Sequence, residues 1–209
     1  MERISKGEQT RQRIIEEAAT IFNQRGYEAT SMQDVMDATG LEKGGLYRHF
    51  ASKEELAAEA LRYALDRSVR RRTQDLGDIA GAIARLKFCV KRFVETPSTV
   101  PGGCPLMNAA TYANEGRPVL RELARKSLTE WRERLCELLL EGVRSGEIQQ
   151  GTDARRIANV MIATLEGAIM MSRLERSKEP LRDAQLALDA VLDGIALEEA
   201  PLREASLSV

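Results

Sequence analysis

The chain has one histidine, three cysteines, six prolines and only 4% aromatic residues in 209 positions. Each scarcity excludes something. A lone histidine, His49, without Cys or acid partners at ligand spacing gives no metal site, and none is expected. It also lies far in sequence from every cysteine, so no nucleophile–base pair assembles readily. No Gly-rich phosphate loop, HExxH or GxSxG element is present, which argues against an enzyme and leaves no cofactor to expect. Cys89, Cys104 and Cys136 are odd in number and widely spaced, so structural disulfides are not expected. No uninterrupted apolar run reaches the roughly 18 residues of a membrane span. The N-terminus carries no apolar signal core, so a cytoplasmic protein with no membrane partner is expected.

Charge of one sign is also missing. The formal net charge is -1, and residues 1–60 hold eight lysines and arginines against eleven acids. A nucleic-acid binder with this balance cannot depend on bulk attraction to phosphate. It has to gather a few cations on one surface.

What is abundant is helix-forming sequence: 43% hydrophobic residues, much Ala, Leu, Glu and Arg, and few β-branched runs. An all-α fold follows. Residues 1–8 are polar and expected to be loose. Over 10–24, Ile14, Ala18 and Phe22 form a stripe flanked by Ile15 and Ala19, and Gly26 closes the helix. Ser31 with Asp34 is a cap pair for a second helix whose buried face is Val35 and Ala38, ended by Gly40. A third helix, 42–49, turns Leu46 and Phe50 one way and Lys43, Gly44, Tyr47 and Arg48 the other, with His49 at the edge. Ser52 and Glu55 form a capping box for a fourth, 53–72. Two short helices meeting at a glycine turn, between two longer ones, make a helix-turn-helix.

Further helices are expected over 79–95, 118–144, from a Thr152 or Asp153 cap to about 174, and over 181–197, with a Pro- and Gly-rich loop at 96–103 and a short apolar segment at 104–114. Arg67, Arg70, Arg71 and Arg72 read either as a phosphate-following run or as a solvated helix end favoured by the helix dipole. The segment 157–174 is apolar almost all round, so it needs cover on two sides. A second copy of the chain can supply one of them. Ile157, Met161, Leu165 and Ala168, with Ala184, Leu188, Val191, Leu192 and Ile195 of the last helix, are the expected interface of a four-helix bundle between two chains.

The run Phe22, Gly26, Tyr27, Thr30, the turn at Gly40, and Gly-Leu-Tyr-Arg-His-Phe at 45–50 followed by Ser-Lys-Glu-Glu-Leu at 52–56 resemble the tetracycline-repressor (TetR/AcrR) family of bacterial transcription regulators. The resemblance covers residues 10–56 with good motif density; the rest is similar in length and helical layout. It implies a three-helix DNA-binding domain (1–52), a larger helical ligand-binding and dimerisation domain (53–200) and a tail (201–209). It further implies a repressor released from a palindromic operator when a small molecule binds the C-terminal part.

On that resemblance, Thr30, Tyr47, His49 and Lys53 would bind phosphate, with Ser31 and Arg48 on the same surface. Lys43 would meet guanine O6/N7 early on the exposed face, and Gly44 would let the backbone lie deep in the groove. Glu42 stands where the family often has a small hydroxyl residue. It could accept from cytosine N4 or repel phosphate. Packing is the alternative for Tyr47, and a core or capping role for His49. Pocket candidates are Phe88, Arg92, Cys104, Met107, Asn108, Thr111, Trp131, Glu166 and Met170, with plain core packing the alternative for each. Cys104, at a helix start, also suggests a thiol- or electrophile-sensing regulator, because such a site can lower a thiol pKa. A helical interaction protein that binds no DNA is a further alternative. Operator sequence, effector and regulated genes are left open.

Overall fold

The computed structural model describes residues 5–112 and 118–197. Nine α-helices run through them: α1 Lys6–Arg25, α2 Met32–Thr39, α3 Lys43–Tyr47, α4 Lys53–Thr73, α5 Ala82–Glu95, α6 Pro105–Tyr112, α7 Pro118–Ser145, α8 Ala154–Glu175 and α9 Glu179–Ile195. Among the described residues there is no strand, only an isolated bridge between Ile148 and Ala196. The proposed tail, 201–209, lies outside the described residues.

Local chemistry sets where the helices begin. The Ser5 hydroxyl accepts from the Glu8 amide, and the Glu8 carboxylate accepts from the Ser5 amide at 2.8 Å. This capping box starts α1 at Lys6, inside the segment expected to be loose. Ser31 and Asp34 form the same box on α2, and Gly40 ends α2 in the left-handed region at φ 65°. Val35 is buried as expected, but its partner is Thr39 rather than Ala38. Position i+4 lies over Val35, and the Thr39 hydroxyl satisfies itself on the Val35 carbonyl at 2.7 Å. The start of α5 shifts to Ala82 because the Glu147 carboxylate accepts from the Ala82 and Ile83 amides.

Two apolar cores result. The first joins α1 to α4 with Val100, Ala109, Leu120 and Ala124; the second joins α5, α7, α8 and α9. The expected boundary at 52/53 falls at the N-cap of α4, and Leu56, Ala57, Ala60, Leu61, Ala64 and Leu65 are buried in the first core. Helix α4 therefore begins in the head and ends against the body.

A second joint between head and body is polar. Asn23, buried near the end of α1, donates from Nδ2 to the carbonyls of Pro101 (2.8 Å) and Gly103 (3.1 Å). Asn108 of α6 donates to Asn23 O at 2.9 Å, to Asn23 Oδ1 at 3.0 Å and to Gly102 O at 2.9 Å. The joint leaves no room at Gly102: its φ is 109°, and an added Cβ would lie 2.5 Å from the Asn23 carbonyl oxygen. Gly102→Ala is expected to lower stability by about 2 kcal/mol or more, from backbone strain and a buried clash. Thermal unfolding beside Gly7→Ala, whose Cβ meets only Ser5 Oγ at 3.9 Å, checks this.

The outer helices correct one expectation. Met161, Leu165, Ala168, Ala184, Leu188 and Leu192 are buried within their own chain. Most of them fill the second core, with Ile157 and Ile195 packed at its edge and Val191 half-buried. A helix apolar on every side does not announce which side its own chain will use. The apolar side chains left outside are Val160, Met170, Met171, Leu174 and Leu186, with Leu174 79% and Leu186 69% exposed. By length and mean hydropathy (1.3) α8 is also the one helix among the described residues that meets the criteria for a membrane span, although no uninterrupted apolar run produces this.

Candidate nucleic-acid interface and effector cavity

Helix α3 is short, yet it is held firmly. Leu46 and Phe50 are fully buried, and the Arg11 guanidinium lies 4.8 Å from the Phe50 ring centroid. Past Tyr47 the backbone closes on Leu46: its carbonyl accepts from the His49 amide at 3.0 Å and the Phe50 amide at 3.2 Å. The expected span 42–49 is thus one regular turn and a half, with Glu42 as N-cap. Anchoring one side fixes what the other shows. Glu42, Lys43, Gly44, Tyr47 and Arg48 all face solvent. Tyr47 is 42% exposed, and the Lys43 ammonium lies 6.0 Å from its ring centroid. Among the described residues, neither Lys43 nor Arg48 has a carboxylate within ion-pair distance. Two cations and a phenol therefore project from one turn, Lys43 and Tyr47 meeting each other and neither cation paired to a carboxylate among the described residues.

The flanking residues divide. Lys53, first residue of α4, sits 4.2 Å over the Tyr27 ring and is half-exposed. His49 is half-buried at the edge of that face. Ser31 is exposed, but its hydroxyl already bonds Asp34 Oδ2 at 2.5 Å, and this bond, with the Ser31 amide, holds the Asp34 carboxyl below its ordinary range. Thr30 corrects its expectation: it is buried, and its hydroxyl donates to Gly26 O at 2.8 Å, so no phosphate can reach it. Thr30 instead closes the turn between α1 and α2.

In the body, α4, α5, α6, α7 and α8 enclose a cavity of about 90 Å³. Leu65, Val69, Val90, Leu135, Leu138, Met161 and Leu165 form its apolar walls. Phe93 stacks on Trp131 with ring centroids 5.5 Å apart, and the Arg72 guanidinium lies 3.9 Å over Phe93. Arg72 is thus turned inward, unlike Arg67, Arg70 and Arg71, which are exposed.

Of the nine pocket candidates, only Trp131 and Cys104 line this cavity. Glu166 stands behind Cys104, its Oε1 accepting from the Cys104 thiol at 2.9 Å. Arg92 is engaged elsewhere: it donates to Arg71 O at 3.1 Å and lies 5.6 Å from the Phe88 ring. Phe88 itself is half-buried off the lining. Asn108 belongs to the joint with α1, Thr111 is exposed with its hydroxyl on Asn108 O, Met107 is half-buried off the lining, and Met170 is exposed. Residue type alone does not place a side chain in the cavity. Which way a half-apolar helix turns depends on its neighbours.

Cys104 corrects a second expectation. Burial first, then the Glu166 charge, pushes its thiol up to about 12, so proximity to a helix start does not activate it. Burial also raises the Glu166 carboxyl. Alkylation by iodoacetamide near pH 8 should label half-exposed Cys136 about tenfold faster than Cys104, since only the thiolate reacts. Mass mapping of the native protein checks the order.

Residues 14–60 match the family model described as bacterial regulatory proteins, tetR family. Residues 82–188 match the tetracyclin repressor-like C-terminal domain. The HTH-type transcriptional repressor KstR2 of Rhodococcus jostii (strain RHA1) is 30% identical over 189 residues, 89% of this chain and 91% of that one. The HTH-type transcriptional repressor DhaR of Mycobacterium sp. (strain GP1) is 27% identical over 172 residues, 82% and 86% of the two chains. A crystallised TetR transcriptional regulator from Chloroflexus aurantiacus J-10-FL is similar at TM-score 0.89 and 39% identity, covering 93% of this chain and all of that one.

Proposed function

Because the chain belongs to the tetR family of bacterial regulatory proteins, we propose which residues read its operator, which join two copies, and where an effector acts. The protein is a DNA-binding transcriptional repressor. The observation that supports the site assignment is the exposed Lys43–Tyr47–Arg48 face on a helix pinned from behind by Leu46 and Phe50.

In this proposal Lys43 reaches guanine in the major groove, while Tyr47, Arg48, His49 and Lys53 hold phosphates at its edges. Exposed Glu42 and Gly44 lie on the contacting turn. Residues 1–52 serve as reader and 53–200 as body, with α4 passing between them. Two chains join through the outward apolar sides of α8 and α9 and present two copies of α3 to grooves about one helical turn (~34 Å) or a multiple apart.

A small molecule enters the cavity between α4 and α8. It releases the operator because it binds better to the spread of the two heads that does not fit DNA. Helix α4 supports that route: its last turns line the cavity at Ser68, Val69 and Arg72, and its first turns belong to the head core. Selecting bound duplexes from random sequence, then adding candidate metabolites, tests both halves. Metabolites that release bound DNA while leaving the dimer intact are the expected result. If no compound that binds the protein changes DNA affinity, the effector half is wrong.

A further inference from the structure

We propose that the effector is a small organic acid: an anionic group held by Arg72 with an apolar, preferably flat body lying along Phe93 and Trp131. The inference rests on the assignment of this cavity as the effector site and adds the chemistry of its ligand.

The walls are almost wholly hydrocarbon, so a bound molecule gains chiefly from apolar contact. Its orientation must come from the few polar groups present. Arg72 is the charged one turned inward, and its guanidinium is stacked 3.9 Å over Phe93. Among the described residues no carboxylate lies within ion-pair distance of it; its ring contact is with Phe93, and its charge also reaches the Glu166 carboxyl and the Cys104 thiol, favouring the ionised form of each. A guanidinium held over a ring in this way still has N–H groups that can meet a carboxylate with two parallel bonds. Stacking also fixes the side chain beforehand, which reduces the ordering cost on binding.

Other ligand classes fit less well. An amine would face Arg72 with like charge, and Glu166, which could attract it, stands behind Cys104 rather than on the wall. A neutral hydrocarbon would leave the guanidinium without an acceptor once water is displaced. Arg134, the exposed member of the lining, shares Glu130 at 3.8 Å and marks the side open to solvent. Size limits the body. A cavity of about 90 Å³ is smaller than the ~150 Å³ cavity known to take benzene, so a short-chain acid fills it and a ring-bearing or longer one must extend past Arg134 on the open side.

Trp131 is the single tryptophan of the chain and lines the cavity, so its emission reports occupancy directly. The full-length dimer is titrated with benzoate and hexanoate, and with benzyl alcohol, hexanol and benzylamine as neutral and cationic counterparts. The acids should bind about tenfold or more tightly than the alcohols, as charge-assisted bonds require. Arg72→Gln should remove that preference while leaving alcohol binding within about twofold; Arg72→Lys, which keeps the charge, should retain part of it. If Arg72→Gln does not fold, the Arg72→Lys titration and the acid-to-alcohol ratio of the natural protein still decide. Acids and alcohols binding equally, or benzylamine binding best, overturns the acid assignment and leaves the cavity as effector site. If none of the five probes perturbs Trp131, the cavity assignment fails with it.

Discussion

Lys43→Ala and Tyr47→Ala, each made alone, should each reduce operator affinity by about 100-fold or more, with the dimer and its thermal stability unchanged. A side chain paired with a base edge contributes about 1–3 kcal/mol of discrimination. Two-fold symmetry removes the contact at both half-sites, so a single substitution costs about twice that. Stability should hold because both residues are exposed and touch little beyond each other. The two variants should differ in kind. Loss of Lys43 should flatten preference among sequences, whereas loss of Tyr47, proposed to hold a phosphate, should weaken binding to all duplexes alike. Gel shift against a selected operator and a scrambled duplex measures both. Unchanged affinity in both variants would remove α3 as the reader.

Leu174→Asp and Leu186→Asp should turn the dimer into a monomer at micromolar concentration, and operator binding should be lost with it. Both side chains project from the body, at 79% and 69% exposure. In one chain a carboxylate at either position costs little, because it meets water. In a dimer closed over that surface it would be buried unpaired, at several kcal/mol for each copy. Operator affinity should fall by orders of magnitude, because linking two readers gives the second contact a high effective concentration that two monomers lack. Leu165→Ala is the counterpart on the inner side of α8. It should lower the unfolding free energy by about 2–5 kcal/mol through a cavity in the second core, while the folded protein stays dimeric. Sedimentation equilibrium with thermal melts separates the two outcomes. A dimer that survives both outward aspartates places the interface elsewhere.

The parts of this molecule legible in its sequence are those where a residue's role is local. Ser31 with Asp34, Gly40 and Ser52 mark helix ends by chemistry within a few residues, and the structure has them there, except that the Glu55 carboxylate accepts from the Ala51 amide instead of closing the box on Ser52. Leu46 and Phe50, four apart, had to share a side, so Lys43 and Tyr47 had to share the other. The box of Ser5 with Glu8 is equally local, but the polar residues around it give no apolar stripe to mark a helix there. What resisted prediction depends on which neighbour a side chain meets. Thr30 looks like a polar surface residue until its hydroxyl finds Gly26 O. Arg72 is one of four similar arginines, and only the approach of Phe93 to the end of α4 singles it out. Cys104 follows two glycines at a helix start, a setting that suggests a reactive thiol. Burial against α8 gives it the opposite character. Helix α8 is the extreme case: apolar on nearly every side, it carries no pattern to separate the side used by its own chain from the side left for a partner.

The arrangement proposed for the protein makes its most direct demand on the DNA. Rounds of selection from a random duplex pool with the full-length dimer should converge on an inverted repeat, its half-site centres about one helical turn (~34 Å) or a multiple apart. The enrichment should vanish with Lys43→Ala. A pool that stays random after selection, or that converges on a single unrepeated site, would contradict a pair of α3 helices reading successive grooves.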